Sequence, residues 1–356
     1  MNVALITHYI PSYRSSFLKG LSLSHNIKLE LYADHNNSYF NNFDFINGDE
    51  FNFFTSKVKI LTIFKKAFFF QLHIIDLILN PKYDIIILTA SKSDVTVWLG
   101  LILGKCVKKK IILWGHFKSD KIVEKVVNYL FLNISYSNIF YSEKERLNYS
   151  SLIINKSFVA KNTMVVNSTS TLNNTTNNNI IFSGRFTKGK KLDVLLKALS
   201  IVKLKFTFRL MLIGDGPEKK RIVNLSEELN LMSNVSFEGA IFDSTILNNL
   251  YKKSLFSVIP SHAGLAIHHA FAHGKIVITD NDINEHPPEF DVLKNKVNAF
   301  IYESYNHFEL AELISFCFEN KYDIIKMGLR AKKDFESEFS VNKMIDGFVK
   351  AINFKK

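Results

Sequence analysis

Cysteine is almost absent from this chain: only Cys106 and Cys317 occur, far apart, and no Cys-x-x-Cys exists. That excludes a disulfide scaffold and a cysteine-built zinc site, and a reducing, cytoplasmic setting is expected. No basic segment precedes the first apolar run, Val3–Thr7, and Pro11-Ser12-Tyr13-Arg14 follows it at once, so a signal peptide is not expected. The best membrane-span candidate, Val95–Gly104, is about half the ~20 residues a bilayer needs and is flanked by Lys92, Asp94 and Lys105. A soluble protein is expected, with peripheral membrane attachment left open. No period repeats along the chain, which argues against a solenoid. Acidic residues are in short supply: 33 Asp and Glu stand against 45 Lys and Arg, for a formal charge of +12 and a pI near 9.4. The partner this implies is anionic: a nucleotide, a nucleic acid or an acidic membrane surface.

What remains is a globular composition, 47% apolar and 22% charged over 356 residues, and that length favours two domains. Short apolar runs alternate with amphipathic stretches. Val3–Thr7, Lys28–Tyr32, Ile85–Thr89, Ile111–Trp114 and Ile139–Tyr141 read as buried parallel strands. Ser16–Leu23, Ile60–Leu79, Ser93–Gly104 and Ile122–Leu132 read as helices between them. A polar, aperiodic segment, 167–179, reads as a linker. A second series follows, with strands at Ile180–Ser183, Arg209–Ile213, Val235–Glu238, Phe256–Pro260 and Ile276–Thr279. Its helices are Leu192–Lys203, Glu218–Leu229, Ser244–Ser254, Ala266–His273 and Phe308–Asn320, and Val341–Phe354 is a weaker helix. The expected organisation is an α/β domain over 1–166, the linker over 167–179, a second α/β domain over 180–335 and a C-terminal helix in 336–356, with a ligand cleft between the domains.

Three strand ends carry the chemistry. Phe182-Ser183-Gly184-Arg185-Phe186-Thr187-Lys188-Gly189-Lys190-Lys191 ends a strand at glycine and adds cations that could hold phosphate oxygens; a solvated basic turn accounts for it equally well. Leu212-Ile213-Gly214-Asp215-Gly216-Pro217 runs a buried strand into a helix start, but it is neither a Walker loop nor a dinucleotide fingerprint. Ile259-Pro260-Ser261-His262-Ala263-Gly264-Leu265-Ala266 is a strand, loop and helix start whose free N–H groups suit a diphosphate.

In this order and spacing, the pieces resemble the C-terminal domain of GT-B glycosyltransferases, specifically glycosyltransferase family 4, over about Ile180 to Ile301. Gly184-Arg185, Lys190-Lys191-Leu192-Asp193, Gly214-Asp215-Gly216-Pro217, Val235-Ser236-Phe237-Glu238-Gly239, Pro260-Ser261 and Ala270 through Ile278 match its motifs. The family places two glutamates eight apart around the last loop; here Ser261 and His269 stand there. A bacterial subset with Gly-Leu, a His and a later Pro-Glu-Phe is more similar, matching Gly264-Leu265, His269 and Pro288-Glu289-Phe290. In the N-terminal half, Trp114-Gly115-His116 resembles the family's strand ending in Gly-His near the transferred sugar, and Lys161-Asn162-Thr163 the end of the first domain. Tyr13-Arg14-Ser15 sits where the family has a glycine-rich acceptor loop, but without its glycines.

The resemblance implies a GT-B fold: two Rossmann-like domains facing across a cleft, with a C-terminal helix crossing back to the N-terminal one. It implies a retaining transferase that moves a sugar from a nucleotide-diphosphate sugar to a glycan or polyprenyl-diphosphate-linked acceptor in bacterial surface-polysaccharide or O-antigen synthesis. Arg185, Lys190 and His116 would be catalytic. Gly184, Gly214, Gly216, Ser261, Gly264, Leu265, His269 and Glu289 would bind the donor, and Arg14 would lie on the acceptor side. No metal or cofactor is expected, since the cations come from the protein. The spacing of His269 and His273 suits zinc, but no Glu follows the first His as in zincins. Glu289 is alternatively a helix-start charge, Lys108-Lys109-Lys110 a solvated turn, and Ile60–Leu79 either a core helix or a lipid-facing one. Nucleic-acid binding rests on charge alone, without a recognition motif, and no nucleic-acid partner is expected. A non-catalytic GT-B scaffold is the other reading, motivated by Ser261 and His269.

Overall fold

The computed structural model describes all residues except 25, 37–44, 47–49, 64–65, 120, 167–176 and 356, so most of the expected linker lies outside the described residues. The chain divides into two compact units: Met1–Val165 with Ser340–Lys356, and Val166–Phe339.

Unit one begins with strands β1 (Asn2–Ile6), β2 (Lys28–Ala33) and β3 (Phe53–Thr55), followed by an antiparallel hairpin of β4 (Lys59–Ile63) and β5 (Lys66–Phe70). It continues with β6 (Ile85–Thr89), β7 (Lys110–Gly115), β8 (Ser137–Phe140) and β9 (Ser157–Val159). Apart from the hairpin these form one parallel sheet, ordered β3-β2-β1-β6-β7-β8-β9. Its helices are α1 (Ser15–Ser22), α2 (His73–Leu79), α3 (Val95–Cys106), α4 (Ile122–Ile134), α5 (Glu143–Arg146) and α6 (Ser151–Ile154). Strands β1, β6 and β7 are apolar at nearly every position because both faces are covered. Phe17, Leu18 and Leu21 of α1 pack with Leu5, Ile87 and Ile112 in one layer. Ile74, Leu77, Val97, Leu101 and Phe131 of α2, α3 and α4 pack with Ala4, Ile86 and Leu88 in the other.

The helix expected over Ile60–Leu79 is not formed. Ile60-Leu61-Thr62-Ile63 and Ala67-Phe68-Phe69-Phe70 pair as the β4–β5 hairpin, and only His73–Leu79 is helical. Runs of β-branched and aromatic residues favour a pleated surface over a helix.

Unit two has strands β10 (Asn179–Ser183), β11 (Arg209–Ile213), β12 (Val235–Gly239), β13 (Phe256–Val258), β14 (Val277–Asp280) and β15 (Ala299–Tyr302), in the parallel order β12-β11-β10-β13-β14-β15. Its helices are α7 (Leu192–Val202), α8 (Lys219–Glu228), α9 (Ser244–Lys253), α10 (Ala266–Ala272), α11 (His307–Glu319) and α12 (Lys321–Glu338). β15 is too short, and α12 too polar, to stand out as an apolar pattern.

The last helix, α13 (Val341–Ile352), belongs to unit one, the expected return of the chain. Phe348 lies 4.7 Å from the Phe17 ring and 4.9 Å from Trp114, and Ser137 Oγ donates to the Ala351 carbonyl at 3.1 Å.

Each sheet grows outward in both directions from its first strand. The growth reverses between β1 and β6 in unit one and between β10 and β13 in unit two. The crevice beyond the carboxyl ends of such strands is where open α/β sheets bind ligands.

Candidate active site

In unit two the loops after β10 and β13 meet at the reversal point. Lys190 Nζ donates to the His262 carbonyl at 2.6 Å. Gly184 holds a positive φ of 154° beside the Lys190 side chain: a Cβ there would lie 3.7 Å from Lys190 Cε. On the other loop, a Cβ on Gly264 would lie 3.9 Å from Glu289 Oε2. Glu289 is buried in the turn Pro288–Val292. Lys190, Gly184, Gly264 and Glu289 are thus brought together. Burial pulls the Lys190 ammonium down to about 8, against the opposing pull of Glu289. Arg185, on the same loop, is exposed; its carbonyl accepts from Thr187 N–H at 3.0 Å, while its guanidinium makes no hydrogen bond or ion pair among the described residues. The backbone N–H groups of Gly264, Leu265 and Ala266 likewise donate to nothing among the described residues. With α10 only two turns long, those N–H groups matter more than a helix dipole.

Gly214 and Gly216 serve the scaffold. They hold φ of 138° and 156°, and a Cβ on either would strike the backbone of Gly184 or Phe186. The second loop thereby lies flat against the first, joined by Gly184 N to Ile213 O at 2.9 Å and Phe186 N to Asp215 O at 2.8 Å.

Ser261 also turns inward. It is fully buried, and its Oγ donates to Asp280 Oδ1 at 3.1 Å. Asp280 ends β14 and is the hub of a buried network absent from the sequence reading. His286 Nε2 donates to Asp280 Oδ1 at 2.8 Å; Lys191 and Ser304 donate to Oδ2 at 2.7 and 2.8 Å. His286 Nδ1 accepts from Ala263 N–H at 3.0 Å, which sets its tautomer and ties the loop to the hub. Burial alone would raise the Asp280 carboxyl, but the hydrogen bonds from His286, Lys191 and Ser304 hold it at about 2. The signal available in sequence was a carboxylate closing the apolar run Ile276–Thr279.

His269 lies on α10 nearly parallel to the buried Tyr251 ring, 6.2 Å away, with its Nδ1 buried and without a hydrogen-bond partner. Burial, then neighbouring His273, lowers it to about 4, so it is neutral near pH 7. His273 stacks on Tyr251 at 4.6 Å, and both its nitrogens are engaged, by the His269 carbonyl and Asn248. The histidine pair is therefore a packed edge around Tyr251. No group of three or more His, Cys, Asp or Glu is placed to hold a metal ion among the described residues.

Unit one carries its own constellation. His116 follows β7, and its Nδ1–H donates to Glu145 Oε2 at 2.9 Å, leaving the half-exposed ring to present Nε2. The other Glu145 oxygen accepts the Phe117 N–H, so one buried carboxylate fixes the Gly115–Phe117 turn. A concavity of about 250 Å³ beside it is lined by Ser91, Lys92, His116, Lys118 and Asn128. Arg14 lies over the Trp114 ring, 4.2 Å from its centroid, and donates to the Tyr141 hydroxyl at 3.0 Å. Sequence reasoning missed His8 and Asp94, which meet at 2.7 Å at the sheet's reversal point, where Asp94 also caps α3. A histidine two residues beyond the first strand was the available clue.

Residues 167–334 match the family model described as glycosyl transferases group 1. Protein CapJ of Staphylococcus aureus is 32% identical over 82 residues, which are 23% of this chain and 21% of CapJ; the match spans about a fifth of that relative. Among solved structures, HepE of Anabaena in complex with UDP has a TM-score of 0.73 at 16% identity, covering 99% of both chains. The lipopolysaccharide outer core galactosyltransferase WaaB, in its apo form, has a TM-score of 0.70 at 15% identity, again covering 99% of both. Likeness at these identities establishes the fold: two Rossmann-like units of the GT-B class. The group 1 match and that fold together support a GT-B glycosyltransferase.

Proposed function

We propose that this chain is a retaining glycosyltransferase of the family 4 type. It would transfer a sugar from a nucleotide-diphosphate sugar to a glycan or polyprenyl-diphosphate-linked acceptor in bacterial surface-polysaccharide or O-antigen assembly. The observation that carries the reading is the meeting of Lys190 with the 262–266 loop, whose Gly264–Ala266 N–H groups are unused, at the reversal point of unit two, with the unpaired guanidinium of Arg185 on the same loop as Lys190. Cations and N–H donors gathered there suit a diphosphate. That HepE is seen with UDP, and that WaaB acts on lipopolysaccharide outer core, supports the donor and pathway.

As the bond to the anomeric carbon breaks, negative charge builds on the departing diphosphate. Arg185 and Lys190 then stabilise the transition state more than the bound donor. Glu289, beside Lys190 and Gly264, is assigned to sugar hydroxyls. His269, in neutral form, is assigned to the ribose. His116, held by Glu145, is assigned to the transferred sugar on the family resemblance, and Arg14 to the acceptor side. A front-face course needs no protein nucleophile, and the protein's own cations make a metal unnecessary. No described helix is long and apolar enough to cross a membrane; a lipid-linked acceptor would be met by peripheral contact at the inner face of the plasma membrane.

A thermal-shift screen of UDP, GDP, dTDP and CMP with their sugar conjugates tests this. A ligand at a hundred times its Kd should stabilise by about 2.7 kcal/mol. No shift with any nucleotide, together with tight DNA binding, would overturn the reading in favour of a basic nucleic-acid binder. Nucleotide binding without turnover would favour a non-catalytic scaffold.

A further inference from the structure

We infer that the outward face of helices α3 and α4 in unit one docks on an anionic lipid bilayer.

Helix α4 is apolar on two sides. Asn128, Phe131 and Leu132 are buried. On the other side Ile122, Val123, Val126 and Leu130 are 78%, 74%, 55% and 49% exposed. At 3.6 residues per turn these four form one stripe. A helix facing water alone would carry polar residues there. Neighbouring α3 repeats the pattern: Val97, Gly100, Leu101 and Gly104 are buried, while Leu99 and Ile102 are exposed. Trp98 of α3 meets Phe131 of α4 edge-on, with ring centroids 3.6 Å apart, so the two stripes belong to adjoining helices of one layer. Scattered exposed apolar residues are ordinary; two adjoining stripes mark an interaction surface.

Charge selects the occupant. Between 91 and 135 the sequence has eight lysines and three acidic residues. Asp94 is buried in the cap of α3, Glu124 is paired with Lys92 and Lys121, and Asp120 lies outside the described residues. Lys105 and Lys108 close α3, and Lys121 and Lys125 flank the first turns of α4, all exposed. An apolar stripe fringed by lysines is the pattern of an interfacial helix. Two copies of this face would bring like-charged fringes together, which disfavours self-association. The Ile60–Leu79 stretch, read from sequence as a core or a lipid-facing helix, forms a hairpin and a two-turn helix instead.

The inference deepens the lipid-linked acceptor reading, but docking is measurable without donor or acceptor. The full chain is floated with vesicles of phosphatidylcholine alone and with about a third phosphatidylglycerol, at about 0.1 and about 0.5 M salt. Variants are Lys121→Gln/Lys125→Gln, Val123→Glu/Val126→Glu, and Phe242→Glu as an exposed control in unit two. Tm and UDP affinity check each fold. Binding should need the anionic lipid and weaken in salt. The lysine pair should weaken it about twenty-five-fold, as near-surface lysines each contribute about fivefold, and the glutamate pair at least tenfold. The control should bind normally. Equal binding to both vesicles, or wild-type binding by the lysine variant, overturns the proposal. So does a wild-type dimer in light scattering that the glutamate pair dissociates without any vesicle binding. Absent binding of every nucleotide in the screen would count against the glycosyltransferase reading and leave the docking result standing.

Discussion

Lys191 Nζ lies 2.7 Å from Asp280 Oδ2, joining two buried residues 89 positions apart. Its sequence neighbour Lys190 instead reaches the His262 carbonyl beside Gly184 and Glu289. Two adjacent lysines therefore divide the loop, one holding the scaffold through Asp280 and one joined to the His262 carbonyl, where the proposal puts the donor.

The two should separate on mutation. Lys191→Met breaks a buried pair and strands the Asp280 charge, so unfolding free energy should fall by about 3–5 kcal/mol, read by urea denaturation. Lys190→Ala and Arg185→Ala should leave Tm nearly unchanged and lower turnover by roughly 10²–10³ at saturating donor. Near-wild-type turnover in either would remove that residue from the mechanism.

Donor kcat/KM should fall above about pH 8. Burial first, against Glu289, holds Lys190 at about 8 in the free protein, so its proton and its charge are lost there. Lys190→Arg stays charged and should abolish that alkaline limb. Persistence of the limb in the arginine variant would move it to another group, such as Lys275, also lowered to about 8 by burial.

Asp280 should leave a signature in acid. Its folded value near 2 lies below the ordinary ~3.9. Its stabilisation is complete above the unfolded value and is lost as pH falls through the folded one. Between pH 5 and pH 2 the wild type should lose about 2 kcal/mol from this group. Asp280→Asn should be less stable at pH 7 and lack that increment, as chemical denaturation at the two pH values would reveal.

His269→Ala should weaken donor binding more than it slows kcat, and His269→Glu should keep partial activity. Because the imidazole is neutral near pH 7, its effect on donor affinity should not vary between about pH 5.5 and 7.5. Unchanged donor affinity in the folded alanine variant would reduce His269 to packing around Tyr251.

Turnover should survive exhaustive chelation and gain nothing from added magnesium, manganese or zinc. Loss with a chelator and rescue by one metal would transfer charge neutralisation from Arg185 and Lys190 to a bound ion.

The strands were legible where apolar runs end at Gly or Pro, as at Ser183-Gly184, Ile213-Gly214 and Ile259-Pro260. Such runs are buried on both faces, and their endings mark the sheet's carboxyl edge. Which lysine turns inward to Asp280 was not legible. It depends on the left-handed backbone of Lys191, φ 48°, at a position with no glycine or asparagine to announce it. The Glu145 clamp on His116 and the His286 tie to Ala263 are contacts between distant turns, with no local pattern to carry them. At 60–79 the lysine-flanked apolar residues suggested a helical face, whereas consecutive aromatic and β-branched residues made a hairpin.

The placement of α13 has a consequence for synthesis. Phe348 completes the layer containing Phe17 and Trp114, yet the ribosome makes it after all of Val166–Phe339. The later-made unit can therefore close first, since its residues are contiguous and domains fold as units while the chain emerges. The earlier one waits with an open hydrophobic face until α13 leaves the exit tunnel. Premature termination before residue 340 would yield a nascent product whose damage lies at its beginning.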